Sequence, residues 1–474
     1  MKNSAKVENN YYLENSLIFF KNNVKKRLNY LEKKSFLFLE ISDFINNCIA
    51  GSKKILIFCA GNSLISKNLD ANEINIKEIS DDYKINYNSK INYSNKISDK
   101  DISESDNIII ADIEHQLNPA KNLLDLSKKI NDDARIIVLS KNLIWMIFIK
   151  ILKYLLNFSP KKNNFLPSSY LYNLYSSCNL EIVRIERIIA LPINLPFLTN
   201  LINKIFRLPV LNLFCVSSIT ILKKMQKKIE KNDNKIISFI IPCKDEEKNI
   251  PLFKEQISKL NKNYEYLFGD DKSTDDTKKE ISKLYEANKE LKIKQYDGPG
   301  ICKADNVYRG IDKASGDIIV IYDADLTVDF KDIEFALKIL ETTNTDFINC
   351  TRMIYPQRNK AMKILNFCGN SFFAILFSIL FKKRITDTLC GTKIFYKKHW
   401  DKIKNDNGEW GAKDLWGDFD LLIGAYKNNL KIIEVPVVYY ERKEGETKMT
   451  SLFSNTIRML WIVLSAYYKL RLKI

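Results

Sequence analysis

Histidine is nearly absent from this chain: its 474 residues include only His115 and His399. That scarcity excludes a His-rich metal centre and leaves little from which to build a Ser-His-Asp hydrolase. The nine cysteines form no Cys-x-x-Cys pair, and an odd, scattered set reads as reduced thiols of a cytosolic protein, not as a disulfide framework. No segment supplies the roughly 20 apolar residues that span a bilayer. The N-terminal stretch MKNSAKVENNYYLENS has no apolar core and does not read as a signal peptide. With 14 Gly and 11 Pro, the chain is neither collagen-like nor a disordered linker. Any metal should therefore be held by oxygen, which favours Mg²⁺ or Mn²⁺.

Carboxylates are also missing from long stretches. Overall, 74 Lys+Arg against 57 Asp+Glu give a net charge of +17. No acidic residue occurs between Asp133 and Glu181, between Glu186 and Glu230, between Asp346 and Asp387, or after Glu446. The most apolar runs lie in these stretches: LIWMIFIKILKYLL, LPINLPFLTNLINKIF, LNFCGNSFFAILFSILFKKR and IRMLWIVLSAYYKLRLK. Basic flanks and aromatics without acids describe helices lying in a membrane interface, or core helices with solvated ends. The interface reading is preferred for residues 361–384 and 451–474. The basic residues punctuate apolar runs and form no polar stripe, so no nucleic-acid partner is expected.

What is present is β/α alternation, twice over. Residues 1–50 read as helical, KKILIFCAGNS as a strand and turn, DNIIIAD and ARIIVLS as buried strands with a helix between them. Residues 66–105 show only weak alternation and read as loops or short edge strands. The charged bridge at 223–234 marks a boundary. After it, IISFIIP, YEYLFGDD and GDIIVIYDAD read as strands with helices near 249–260 and 274–289 between them. The expected architecture is two consecutive α/β domains, 1–230 and 231–474, each with a parallel sheet.

In the second domain three strands run into acids: Asp245 and Glu246, Asp270 and Asp271, Asp323 and Asp325. Carboxyl ends of parallel strands form the binding crevice of open α/β sheets. Several acids in one crevice repel one another unless a cation or a donor-rich ligand sits there. Asp-x-Asp on a strand places both carboxylates on one face, suited to gripping one Mg²⁺ or Mn²⁺ together with phosphate oxygens.

These residues carry a resemblance. From about Ile236 onward, IPCKDEEKNI, GDDKSTDDT and YDADLT resemble the motifs of glycosyltransferase family 2, with its GT-A fold. DTLCGTKIF, WGDFDLLIGA and EVPVVYYERKEGETKM are similar to segments of the dolichyl- or polyprenyl-phosphate sugar synthases within it. The resemblance implies a nucleotide-diphosphate sugar donor bound by Pro242, Glu246, Asp270, Asp271 and Asp323. It implies a divalent cation on Asp323 and Asp325, and phosphate contacts from Arg352, Lys393, Arg442 and Lys448. Arg442 and Lys448 flank Gly445 on a loop that could close over the diphosphate. Asp418 and Asp420 are the candidate catalytic acids, as general bases for a hydroxyl acceptor or, with a lipid-phosphate acceptor, to orient sugar hydroxyls. Residues 361–386 would form two short interfacial helices broken at Cys368–Asn370. The expected location is peripheral and monotopic, at the inner face of the cytoplasmic membrane.

Residues 53–222 resemble a degenerate class I S-adenosylmethionine methyltransferase. Only Gly61 remains of a glycine-rich loop, and no clear strand ends in a ribose-binding acid, although Glu73, Glu78 and Asp81 are available. S-adenosylmethionine is therefore not expected as a cofactor, and the domain is expected to serve docking or membrane contact. The remaining alternatives are transfer to a saccharide hydroxyl, a bifunctional methyltransferase–glycosyltransferase, and an inactive membrane-binding scaffold.

Overall fold

A computed structural model of the chain describes residues 18, 20–49, 51–60, 63–78, 80–84, 90–94, 97–142, 168–190, 194–195, 198–209, 211–225, 235–253, 263–355, 362, 364–442, 444 and 452–472. Residues 143–157 of the first apolar run, Gly61, Gly445 and Lys448 lie outside this set. The chain divides into two compact units, Met1–Gln226 with Arg471–Ile474, and Lys227–Leu470.

In the first unit, β1 (Lys54–Cys59), β2 (Glu73–Glu78), β3 (Ile91–Tyr93), β4 (Asn107–Ile110), β5 (Arg135–Lys141), β6 (Leu180–Ile188) and β7 (Ser217–Lys224) form one sheet. Its order is β3-β2-β1-β4-β5-β7-β6. The first five strands are parallel, and β7 runs antiparallel between β5 and β6, so the sheet is mixed, not all-parallel as expected. A further correction concerns β2, which falls where no clear strand was expected. Only Ile74 and Ile76 are apolar there, in a stretch rich in Asn, Lys and Asp, so the alternation is too short to mark a strand, and it is the pairing with β1 and β3 that defines it. Helices α1 (Ser35–Ile49), α2 (Pro119–Lys129) and α3 (Leu198–Ile205) belong to this unit. The start of α2 is set by Asn118, whose side chain accepts from Lys121 N at 3.0 Å, with Pro119 in the first turn.

In the second unit, β8 (Ile237–Cys243), β9 (Tyr264–Asp270), β10 (Lys292–Asp297), β11 (Ile318–Ile321), β12 (Phe347–Thr351), β13 (Lys393–Tyr396) and β14 (Ile432–Pro436) form a second sheet. The order is β10-β9-β8-β11-β13-β12-β14. Strands β8 to β11 are parallel, and β13 runs antiparallel to both of its neighbours. The helices used below are α4 (Thr277–Ala287), α5 (Lys303–Lys313), α6 (Phe330–Thr342), α7 (Ile364–Phe381), α8 (Asp418–Lys427) and α9 (Leu452–Tyr467). Near 249–260 the described part is a 3₁₀ turn, Ile250–Leu252.

Helix α7 corrects the expected pair of broken helices. It passes through Gly369 without interruption. Asn370 is committed elsewhere: its amide donates to Asp387 at 2.7 Å and its oxygen accepts from Thr388 N at 3.1 Å. It therefore caps no helix end. Helices α7 and α9 bury one face each in the same core, where Phe373, Phe377 and Leu380 meet Phe419, Met459, Ile462 and Val463. Their other faces carry exposed apolar residues: Leu365, Phe372, Ile375 and Ile379 on α7, and Phe453, Ile457, Trp461 and Leu464 on α9. Neither helix, nor any other described helix, is long and apolar enough to cross a membrane.

Phe377 is fully buried, with ring centroids of Phe419 at 4.7 Å and Phe381 at 5.3 Å. Phe377→Ala should destabilise the second unit by about 3–5 kcal/mol, read as a lower denaturant midpoint in that unit's unfolding.

Candidate active site at the carboxyl edge of the second sheet

Strands β9, β8 and β11 are adjacent and parallel, so their acid-bearing ends lie side by side at one edge. The chain turns sharply after each strand. Asp245, Lys272 and Leu326 all take positive φ, at 49°, 59° and 52°. Non-glycine residues adopt that region at a cost, and such residues cluster at functional sites.

Most of the acids are held by local donors. Asp245 accepts from Thr274 N at 2.7 Å, and Glu246 from the Asn249 amide at 2.6 Å. Asp270 accepts from Ser273 N at 3.4 Å and Asp271 from Gly300 N at 2.6 Å. Gly298 is required beside them, because a Cβ there would stand 2.6 Å from Asp271 Oδ1. Pro242 is the half-buried penultimate residue of β8.

Asp323 and Asp325 follow β11 in a turn, not on the strand itself as expected. They still lie close together, near enough for the charge on Asp323 to raise the cost of ionising Asp325. Asp323 pairs with Lys303 at 2.5 Å and Asp325 with Arg442 at 2.9 Å. Burial and the charge on Asp323 push the Asp325 carboxyl up, partly offset by Arg442. Burial opposes ionisation of Asp323 too, but Lys303 holds its carboxyl below the usual range. Among the described residues no three His, Cys, Asp or Glu side chains are placed to hold a metal. The buried Asp325 and the half-buried Asp323 nevertheless fit a hard divalent ion that completes its shell with phosphate oxygens and water.

Lys303 was not singled out from the sequence. It is the first residue of α5, where a cation opposes the helix dipole. Burial would lower its pKa, but Asp323, Asp418 and Asp325 hold it above the usual lysine range. Gly391 closes the same corner: a Cβ there would stand 2.3 Å from Asp323 Oδ2 and 2.8 Å from Lys303 Nζ. The only signal for Lys303 was the GPGICK turn ahead of an amphipathic helix, which does not by itself point to a strand end.

The other expected phosphate contacts are placed differently. Arg352 forms a bidentate pair with buried Asp387, Nε to Oδ2 at 2.8 Å and Nη2 to Oδ1 at 2.9 Å. Burial alone would raise the Asp387 pKa, but Arg352 drives it down to about 2. Lys393 is fully buried on β13 and is consumed by Cys390 O at 2.6 Å, Asp418 at 3.0 Å and Asn349 at 3.3 Å. Its ammonium thus faces the interior, turned to Asp418 and the Cys390 carbonyl.

Asp418 and Asp420 lie two residues apart near the start of α8, so they point to different sides of the helix. Asp418 faces Lys393, and its charge is felt by Lys303 beside Asp323. Asp420 lines an open pocket of about 610 Å³ with Asp305, Tyr308, Asn407, Lys413, Asp414 and Lys469. The Asp420 Oδ2 accepts from Gly408 N at 3.3 Å and Tyr308 Oη at 3.4 Å, while Oδ1 is buried without a hydrogen bond. Burial and then Asp414 push the Asp420 carboxyl up to about 7. Asp414, also missed, caps α8 by accepting from Phe419 N at 2.8 Å and Asp420 N at 3.1 Å.

A carboxyl raised in the folded state binds its proton more tightly there than in the unfolded chain. Its stabilising contribution is complete below the unfolded pKa of about 4 and is lost as pH rises through about 7. Asp420→Asn should therefore raise the melting temperature of the second unit at pH 8, by about 2–4 °C per kcal/mol recovered. The difference from wild type should shrink towards pH 5, as followed by circular dichroism across pH.

Residues 238–402 match the family model described as glycosyl transferase family 2. A dolichyl-phosphate beta-glucosyltransferase of Trichomonas vaginalis is 24% identical over 245 residues, covering 48% of this chain and 70% of that protein. Glucosyl-3-phosphoglycerate synthase of Mycobacterium tuberculosis, solved with Mn²⁺, UDP and glucosyl-3-phosphoglycerate, is 18% identical. It covers 49% of this chain and 80% of its own, with a TM-score of 0.37. TarS of S. aureus is also 18% identical, with 49% and 72% coverage and a TM-score of 0.35. The second unit, with its acids gathered at one sheet edge, carries a glycosyltransferase family 2 domain.

Proposed function

We propose that the second unit moves a sugar from a nucleoside diphosphate to a polyprenyl phosphate at a membrane surface. The observation that carries this reading is the pairing of Asp323 and Asp325 with Lys303 and Arg442 at the carboxyl edge of β9, β8 and β11. Glu246, Asp270 and Asp271 offer acceptor oxygens to a base and ribose at that edge. Asp323 and Asp325 would hold Mg²⁺ or Mn²⁺, which when bound neutralises charge on the departing diphosphate. Lys303 and Arg442 can exchange their carboxylates for phosphate oxygens; Arg442 has the fork geometry for two at once. An acceptor phosphate oxygen attacks the anomeric carbon, the bond to the diphosphate breaks, and the configuration inverts. That oxygen is already anionic and needs no general base. Asp418, neutralised by Lys393, then serves to orient sugar hydroxyls.

A lipid acceptor is supported by the exposed apolar faces of α7 and α9, followed on α7 by exposed Lys382 and Arg384. The name of the Trichomonas relative, a dolichyl-phosphate glucosyltransferase, agrees with it. All nine cysteines are free thiols, as suits the cytoplasmic side of the membrane. The Asp420 pocket favours a second reading, transfer to a saccharide hydroxyl, because a carboxyl with pKa about 7 beside a roomy pocket suits a general base.

For the first unit we propose docking without S-adenosylmethionine. Glu78 ends β2, and its charge is felt at Cys59, the end of β1, together with that of Asp112 beyond β4, so a ribose-binding acid is available after all. Next to the end of β1, however, Phe20 packs against Tyr83 and Ala60, with ring centroids of Tyr83 at 5.7 Å and His115 at 5.2 Å, and such packing favours docking over cofactor binding.

The test is a panel of UDP- and GDP-sugars with Mn²⁺ and membranes with or without polyprenyl phosphate. Product should appear only with the lipid phosphate, and Asp325→Ala should lower turnover by about 10²-fold or more. Transfer to a soluble saccharide instead would favour the second reading. No turnover of any donor, with Asp325→Ala equal to wild type, would sink both.

A further inference from the structure

Helix α3 of the first unit is built inside out. Its buried residues are polar: Thr199 is 5% exposed and Asn203 1%. Its exposed residues, Asn200 apart, are apolar: Leu198, Leu201 and Ile205 are 47%, 55% and 41% exposed. At spacings of three and four they form one stripe, which Leu195 and Leu208 extend at either end. Leu213 and Phe214, just beyond, are exposed as well.

This orientation is locked from the inside. Thr199 Oγ1 accepts from Leu195 N at 2.8 Å. Asn203 accepts from Ala190 N at 2.9 Å and donates to Glu40 at 2.9 Å. Arg207, 4% exposed, pairs with Glu40 at 2.6 Å. Rotating the helix to bury its leucines would break each of these bonds and strand buried polar groups. The leucines are therefore held outward at a standing hydrophobic cost, which an apolar environment outside the unit would remove.

The charge pattern selects that environment. Residues 187–229 contain no Asp or Glu and seven Lys or Arg, of which Arg207 and Lys223 are turned inward. An apolar stripe in a segment with that composition fits the interface of an anionic lipid bilayer, where acyl chains take the leucines and headgroups the cations. We propose that α3 and the residues around it are a lipid-contacting element of the first unit. It is separate from α7 and α9, on which the lipid acceptor reading rests.

The test is hydrogen exchange of the full chain with vesicles of phosphatidylglycerol and phosphatidylcholine, and with phosphatidylcholine alone. Peptides covering 195–208 should exchange at least fivefold more slowly with anionic vesicles than without lipid, and show little slowing with the neutral ones. The triple variant Leu198→Ser, Leu201→Ser, Ile205→Ser should lose this protection while exchange in β1 and β4 stays unchanged, showing that the unit remains folded. Unaltered exchange at 195–208 while α9 is protected by the same vesicles would overturn the proposal and leave the transfer reading standing. Concentration-dependent protection without lipid, abolished in the triple variant, would also overturn it, by showing that a second copy covers the stripe. Normal protection at 195–208 in a protein that turns over no donor would separate the two readings in the opposite sense.

Discussion

Crowding of carboxylates at one sheet edge is the constraint around which the second unit is organised. Three adjacent parallel strands end in acids within a few strand spacings, each about 4.8 Å. Left alone, such charges repel and would be protonated or push the edge apart. The fold answers in two ways. The outer acids receive backbone and side-chain donors from the turns that follow β8 and β9, and these turns take left-handed conformations to aim them. The inner pair, Asp323 and Asp325, instead receives two cations, Lys303 and Arg442. The same electrostatics that makes this edge tolerable without a ligand makes it receptive to a metal and a diphosphate.

A second, dry polar network supports that edge from behind. Asp387 gathers Arg352 and Asn370. Glu434 takes Thr386 N and the Asn349 amide, and Asn349 accepts from Lys393, which pairs with Asp418. The chain of contacts ties β12, β13 and β14 to the start of α8 and the middle of α7. Arg352 and Lys393, two of the basic residues expected to meet phosphate, are held in this network by buried partners. Their charge still matters, because a buried ammonium or guanidinium without its carboxylate is costly.

The strand ends were legible because each motif joins a buried apolar run to acids, and parallel strands deliver such ends to one side. The family resemblance was carried by the same segments. Three things were not legible. Strand β2 was hidden because its alternation rests on two apolar residues, Ile74 and Ile76, in a polar stretch. The continuity of α7 was hidden because Asn370, which reads as a helix stop, is recruited by Asp387 far along the chain. Lys303 and Asp414 were missed because their partners come from distant elements, and neither sits in a pattern of periodicity or spacing.

Sequence alone determined the class of chemistry. The scarcity of histidine left oxygen donors as the ligands for any metal, and the resemblance of IPCKDEEKNI, GDDKSTDDT and YDADLT to glycosyltransferase family 2 supplied the reaction. It also led to the expectation that the acids of β8, β9 and β11 would share an edge, since β/α alternation implies parallel strands whose carboxyl ends lie on one side. The tertiary structure decided which cations those acids meet, which of two neighbouring aspartates faces the edge and which faces a pocket, and which face of α3 is turned outward. Those choices depend on long-range pairing and on how burial sets the strength of each charge, and neither is written in the spacing of residues along the chain.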